Sequence, residues 1–477
     1  MAEFTGFALD RDHYSETNLD LTCRGFDNFQ DCIFFHSPVM GLAGRMPAGP
    51  EKDYMMEKFY KKQGYFPARA LACLQPSRGK IVMPKGNDQL VEMWNFYKDI
   101  LGLDENQVIW FEHDVNHTFE EDLMADEAAC QTLREIVSSA PKGDARRKFF
   151  LFAERHELHD WAEEMGLELV RDLSKWTQTY GKKDILHPSA GSDSHQSFLQ
   201  KIMPDHNIIV PRGYSCKNTE ELLKAVELMR NDPGPPMKNV LIKPTGTSDG
   251  EGIVSYPLDT PLSVFEEYPF LMGKILLEER LELDLNPDGT VMTIVSHYCG
   301  RFLLGPSCDQ LIGNEESPTA FIGNVYPSVC PRPLRKRCEG IVKDIINVTH
   351  PLGPGGFDFL FQKGEPYLVD VNSGRFNGGM FPKAFHKQYA ARGTAYVSFK
   401  YKPHSSLADM WAALKEKNWA FTPVMRPSDT VVVENAGTYG IFPMVHLQNS
   451  FGYYISIASS SEECLALMKM FTDLGTM

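Results

Sequence analysis

The stretch YLVDVNSGRFNGG, residues 367–379, reads as a strand running into a glycine-rich turn. Asp370 and Asn372 sit two apart near its end, and Arg375 lies inside the turn. A strand buried on both sides has no packing use for a carboxylate and an amide on one face. Just upstream, FDFLF (357–361) and YLVDV (367–371) flank QKGEP, which reads as an antiparallel hairpin with a five-residue turn centred on Gly364. Pairing Phe361 with Tyr367 in that turn sets Asp358 opposite Asp370. Asn372 then shares their face, ~7 Å further along. Carboxylates that close repel unless a cation sits between them. An all-oxygen set of this kind suits Mg²⁺, commonly held by one or two carboxylates and substrate phosphates. The competing reading is a solvated polar end of an edge strand.

Two other stretches bear on the first. In VLIKPTGTSDGEGIV (240–254), Lys243 ends a strand, and the following loop carries Gly246, Thr247, Ser248, Gly250 and Gly252. Glycines let backbone N–H groups approach an anion, hydroxyls add donors and the lysine adds a point charge. The loop reads as a phosphate cradle or as a flexible hairpin turn, and it is not a P-loop, because G-x-x-x-x-G-K-[ST] is absent. In KILLEERLELDLNPDG (274–289), an apolar strand ends in Glu278 and Glu279. These could serve an adenine edge and ribose, or stand as plain surface carboxylates.

The whole chain sets the bounds. Its 477 residues allow two or three domains and a large core. The net charge of −15 argues against broad nucleic-acid binding, which needs a cationic face. The run RPLRKR (332–337) reads as the solvated start of a helix. No stretch approaches the ~20 apolar residues of a membrane span, and the first residues lack the pattern of a secretory signal. The ten cysteines are scattered without a C-x-x-C pair, so reduced thiols and a cytoplasmic location are expected.

From about residue 78, short apolar runs alternate with amphipathic segments: KIVMP, then DQLVEMWNFYKDIL, then QVIWFE. A single helix over 118–139, strand KFFLFA, helix ERHELHDWAEEMG and strand LELVRD follow. That alternation predicts a parallel α/β sheet, without the G-x-G-x-x-G of a dinucleotide binder. The loop HPSAGSDSHQ (187–196) marks a boundary. Asn218 with Glu221 predicts a capping box opening the next helix. Strands NVLIK, IVSY, KILLEE and TVMTIVSHY, helix RKRCEGIVKDIINVT and the hairpin complete the middle region. Beyond 400, a helix near 405–418, strands TVVVEN and YYISIA and a last helix near 461–473 read as a small appendage.

The order of lysine and glycine loop, acidic strand exit and late acidic hairpin ending in D-x-N resembles the ATP-grasp superfamily of ligases. VYP (325–327), DQLIG (309–313) and the run GGFDFLF…PYLVDVNSGRFNGG look most like the pheganomycin-type ATP-grasp peptide ligases. The resemblance implies an α/β and α+β chain: a Rossmann-like pre-ATP-grasp domain (1–188), an ATP-grasp domain (189–400) and a small α+β C-terminal domain (401–477). It implies that Lys243 contacts an ATP phosphate, that Glu278 and Glu279 lie near the adenine, and that residues 247–252 close over the phosphates. Asp358, Asp370 and Asn372 would hold one or two Mg²⁺ ions, or Mn²⁺, and Arg375 would sit near the acyl phosphate or the substrate carboxylate. The early ATP lysine is expected near 193–195, where the chain reads DSH; His195 or Lys201 would substitute. Glu282 and Asp284 are candidates for the ribose, and Gly356 stands where some relatives carry arginine.

The implied activity joins a carboxylate to an amine through an acyl phosphate. The substrates implied are an amino acid or short peptide carboxylate plus an amine, with no nucleic acid or membrane partner and a homodimer allowed. An ATP-grasp kinase or thiol ligase, and a non-catalytic nucleotide-binding module, are the alternatives. A separate metal reading rests on His113, Asp114 and His117 in FEHDVNH (111–117), set against ordinary strand-to-helix capping.

Overall fold

The computed structural model describes residues 31–474 except 38–47, 51, 54–55, 58–63, 115–116, 152–156, 171–184, 193–195, 207, 245–251, 269–273, 288, 301, 314–319, 352–353, 374–377 and 425–435. The first sheet is wholly parallel. It joins β1 (Ile33–Phe35), β2 (Lys80–Pro84), β3 (Val108–Phe111), β4 (Lys148–Leu151) and β5 (Glu168–Val170) in the order β3-β2-β1-β4-β5. The order reverses between β1 and β4, as in a doubly wound fold. Its helix Asp88–Leu101 buries Leu90, Met93, Trp94, Tyr97 and Leu101, one stripe at helical spacing. Asn87 caps that helix by accepting from Gln89 and Leu90 N–H groups.

The single helix expected over 118–139 is two, Phe119–Ala125 and Glu127–Ser139. Asp126 breaks it. Its backbone is extended, and its carboxylate accepts from Ala129 N and from Glu112 N. An aspartate placed there gains more as a cap than as a helix interior residue. The box expected at Asn218 forms only in half: Asn218 accepts from Glu221 N, while the Glu221 carboxylate takes Lys217 N.

Three antiparallel sheets follow. The second sheet orders β6 (Gly213–Cys216), β9 (Ile275–Glu279), β7 (Asn239–Pro244) and β8 (Val254–Pro257) as β6-β9-β7-β8. The third orders β11 (Phe302–Leu303), β10 (Thr293–Cys299), β14 (Pro354–Gln362) and β15 (Glu365–Ser373) as β11-β10-β14-β15, backed by the helix Arg332–Thr349. The fourth runs β12-β13-β16-β18-β17, from β12 (Asp309–Ile312), β13 (Phe321–Tyr326), β16 (Ala395–Tyr401), β17 (Gly440–Leu447) and β18 (Phe451–Ala458). The expected strand TVVVEN lies outside the described residues.

One apolar core spans the first and fourth sheets. It joins Phe34, Leu71 and Tyr97 to Phe385, Phe442, Tyr453 and Phe471. Tyr97 meets Phe442 edge-on at 5.4 Å between centroids and donates its hydroxyl to Met444 O at 3.1 Å. The strands after residue 400 thus share a sheet with 309–326 and a core with the first hundred residues. No described helix is long and apolar enough to cross a membrane.

Candidate functional site

The hairpin carries the first cluster. Its turn has two central residues, not five: Gln362 pairs with Glu365, and Lys363 and Gly364 both have positive φ, 55° and 75°. That is the geometry of a tight primed turn. The ladder therefore starts one residue away from the expected register, with Phe361 opposite Pro366 and Leu360 opposite Tyr367. A bulge between Phe359 and Asp358 then absorbs Val369, and Asp358 faces Asp370 after all. The core records the shift: Leu368 and Val371 are both fully buried although three apart, which an unbroken strand forbids. Phe357, Phe359 and Phe361 fill the same core, leaving Asp358 on the other face.

On that face the three predicted ligands converge. Asn372 Nδ2 lies 3.1 Å from Asp358 Oδ2 and 3.4 Å from Asp370 Oδ2. An amide turned about its last torsion would present oxygen instead, giving a set of oxygens that fits a hard divalent cation. His297 on β10 faces Gly356, which in turn faces Asn372, so His297 belongs to the same face. Gly379 lies against it. A Cβ on Gly379 would lie 2.7 Å from Asn324 Oδ1 and 2.9 Å from His297 Cε1, so the close approach needs glycine there. Arg375 lies outside the described residues.

The second cluster sits on β7 and β9. Leu241 pairs with Glu278 and Lys243 with Leu276, so Lys243 and Glu278 are diagonal neighbours on one face. Lys243 Nζ donates to Glu278 Oε1. Glu278 is 1 % exposed, and its second oxygen takes His187 Nε2 at 3.0 Å. Burial alone would raise the Glu278 carboxyl; the Lys243 charge and the His187 hydrogen bond outweigh it and hold it at about 2. His187 had no signature in the sequence, being 91 residues from its partner.

The remaining candidates take other roles or fall elsewhere. Glu279 accepts from two of the three guanidinium nitrogens of Arg212, Nε at 2.9 and Nη2 at 2.8 Å, so its carboxylate is committed to an ion pair. Asp284 accepts from Lys363 N and Gly364 N and so caps the hairpin turn. Glu282 pairs with Lys238 at 2.6 Å on the surface. Lys201 is exposed in the last turn of the short helix Phe198–Ile202. Gly246, Thr247, Ser248, Gly250 and His195 lie outside the described residues, and Gly252 has φ +73°.

Asp284 N donates to Phe361 O at 2.8 Å and Glu282 N to Gln362 Oε1 at 2.7 Å, so the exit of β9 is pinned to the hairpin tip. A cleft of about 620 Å³ opens beside this junction, lined by Lys238, Asn239, Glu279, Arg280, Glu282 and Lys363 among others. His113 and His117 turn their Nδ1 atoms to the two oxygens of Asp122, at 2.6 and 2.8 Å, and Asp114 N donates to Asp122 as well. That carboxylate organises the strand-to-helix loop. Among the described residues no group of three His, Cys, Asp or Glu side chains is placed to hold a metal.

The architecture is the ATP-grasp fold. It is shared with biotin carboxylase from Campylobacter jejuni (TM-score 0.53, 12 % identity, covering 94 % of this chain and 92 % of that one). It is shared also with an N5-carboxyaminoimidazole ribonucleotide synthetase solved with ADP (TM-score 0.50, 12 % identity, 94 % and 98 % covered). No protein-family model matches the chain, and no curated protein does.

Proposed function

We propose that the chain is an ATP-dependent carboxylate–amine ligase working through an acyl phosphate. The carrying observation is the convergence of Asp358, Asp370 and Asn372 on one face of β14–β15. Lys243, at the mouth of the 245–252 loop, fits a phosphate contact, and Glu278 beneath it fits the adenine side. Gly246, Thr247, Ser248, Gly250 and Gly252 are assigned to the lid over the phosphates, and Arg375 to the acyl group. Two structures of this fold were solved with ADP or an ATP analogue.

In the reaction, a substrate carboxylate oxygen attacks the γ-phosphorus of ATP and the bond to the β-phosphate oxygen breaks, releasing ADP. An amine then attacks the acyl carbon, and phosphate leaves as the amide forms. Asp358, Asp370 and Asn372 would hold the divalent cation, which would supply positive charge against the phosphates. Lys243 adds a second charge, and Arg375 is assigned to the oxyanion of the tetrahedral intermediate. The lid keeps water from the acyl phosphate.

Mg²⁺ is the cation assigned, with Mn²⁺ as a substitute. The substrate class is an amino acid or short peptide with a small amine, in the manner of the pheganomycin-type ligases. The division at 188 and 400, a cytoplasmic location and a homodimer belong to the same reading. ADP release followed over panels of acids, with and without amines, tests it; hydroxylamine trapping of an acyl hydroxamate reports the intermediate directly. ADP formed without regard to any carboxylate, alongside a phosphorylated alcohol, would make the chain a kinase. Nucleotide bound with no turnover would leave a binding module.

A further inference from the structure

We infer that His187 is a positioning residue that takes up a proton when nucleotide phosphate draws Lys243 away from Glu278. The inference rests on the phosphate role proposed for Lys243. It starts from charge counting at one buried carboxylate. Glu278 is 1 % exposed and has both oxygens occupied, one by Lys243 and one by His187. With a neutral imidazole donating, the trio sums to zero charge. Lys243 cannot give its ammonium to a phosphate without leaving Glu278 charged, buried and held by one neutral donor. A buried carboxylate in that state is unfavourable, and one proton restores the balance.

His187 is built to stay where Lys243 is built to move. Its segment is laced to β6: Ser215 N donates to Pro188 O and Ala190 N to Ser215 O, each at 2.9 Å. Gly213 makes room for it. A Cβ there would stand 2.5 Å from Leu277 O and 3.3 Å from His187 Nδ1. Lys243, by contrast, carries its charge on a flexible four-carbon stem.

Among the described residues, the charged groups that meet the imidazole are Glu278 from β9 and, beyond it, Lys243 from β7. β6 contributes Gly213, Tyr214, Ser215 and Cys216 alongside, and Arg212 before it is turned to Glu279 and Asp232. Glu221 from the helix Thr219–Arg230 stands against Gly191 of the same segment, where a Cβ would lie 2.4 Å from its Oε1. Glu278 itself is the competing acceptor, which equal proton uptake in His187→Gln would reveal.

The test is imidazole NMR on the full chain, with the His187 resonances assigned by their loss in His187→Gln. Adding the ATP analogue AMP-PNP with Mg²⁺ is expected to move them to imidazolium positions at neutral pH. Lys243→Met is expected to do the same with no nucleotide present. His187→Gln keeps a donor that cannot titrate; it is expected to bind AMP-PNP several-fold more weakly and without the proton uptake seen by calorimetry in buffers of different ionisation enthalpy. Binding with His187 unmoved, or equal uptake in His187→Gln, overturns this inference and leaves the nucleotide reading standing. Failure of AMP-PNP to bind at all overturns the nucleotide reading, and this inference with it.

Discussion

Asp358 and Asp370 face each other across a hairpin only because a bulge at Val369 corrects the register set by its two-residue turn. Continued without that extra residue, the turn's register would set Val369 opposite Asp358 and move Asp370 to the core side. The candidate metal face is therefore a product of backbone irregularity as much as of side-chain identity.

Asp370→Asn should cut nucleotide-dependent turnover by about 100-fold or more, the usual cost of losing one charge at a phosphoryl-transfer site. Removing one of two adjacent like charges should leave the thermal midpoint in EDTA unchanged or slightly higher. Wild-type protein should gain stability on adding Mg²⁺ and the variant should not. Activity measured at saturating Mg²⁺ together with thermal unfolding decides both points.

Lys243→Ala should weaken ATP binding and also destabilise the fold, because it removes the ammonium paired with the buried Glu278. Breaking a buried pair from one side costs about 3–5 kcal/mol. The double change Lys243→Met with Glu278→Leu should recover most of that stability while ATP binding stays lost. Chemical denaturation read beside nucleotide titration separates the two effects. The Glu278 carboxyl, at about 2 against an ordinary 4.5, stabilises above pH 4.5 and loses its contribution as pH falls toward 2. That acid limb should be shallower in the double variant.

Gly213→Ala should destabilise by about 1–3 kcal/mol, the range for overpacking a tight site. The new Cβ would meet Leu277 O at 2.5 Å and Glu278 Cα at 3.0 Å, both backbone atoms with little freedom to yield. A midpoint equal to wild type would show that β6 can move away from β9.

Asp309 gives the opposite pH sign. Ser328 Oγ and Val329 N donate to it, yet burial pushes its carboxyl up to about 7 from an ordinary 3.8. Between those values the folded chain holds a proton that the unfolded chain has released, so this group's contribution to stability falls as pH rises from about 4 to about 7. Asp309→Asn should flatten that fall, as seen in thermal midpoints compared with wild type across the range. A parallel offset at every pH would mean that Asp309 does not titrate there.

Much of this was legible in the residues, for physical reasons. The helix Asp88–Leu101 follows from its apolar stripe and from Asn87 before it, and the parallel strands from short apolar runs between helices. The chemistry of the hairpin was readable because carboxylates on a half-buried strand have no packing role. The turn was misjudged because Lys363 adopts positive φ, a conformation unusual for a lysine, and the bulge leaves no compositional mark. The split at Asp126 turns on capping in competition with helix continuation. Contacts between distant segments, such as His187 with Glu278, have no local signal at all. The same holds for the fourth sheet, whose five strands come from three stretches between 309 and 458.

That shared interior has a consequence for how the protein is made. Tyr97 finds its acceptor 347 residues later, on a strand that leaves the ribosome long after the first sheet has emerged. Until then, the flank of the first sheet that ends up beneath Phe442 and Tyr453 stays greasy and uncovered, a natural target for chaperones. A chain stopped at residue 400 should aggregate or bind a hydrophobic dye; a truncated form that stayed soluble and dye-silent would show that the early sheet shelters itself.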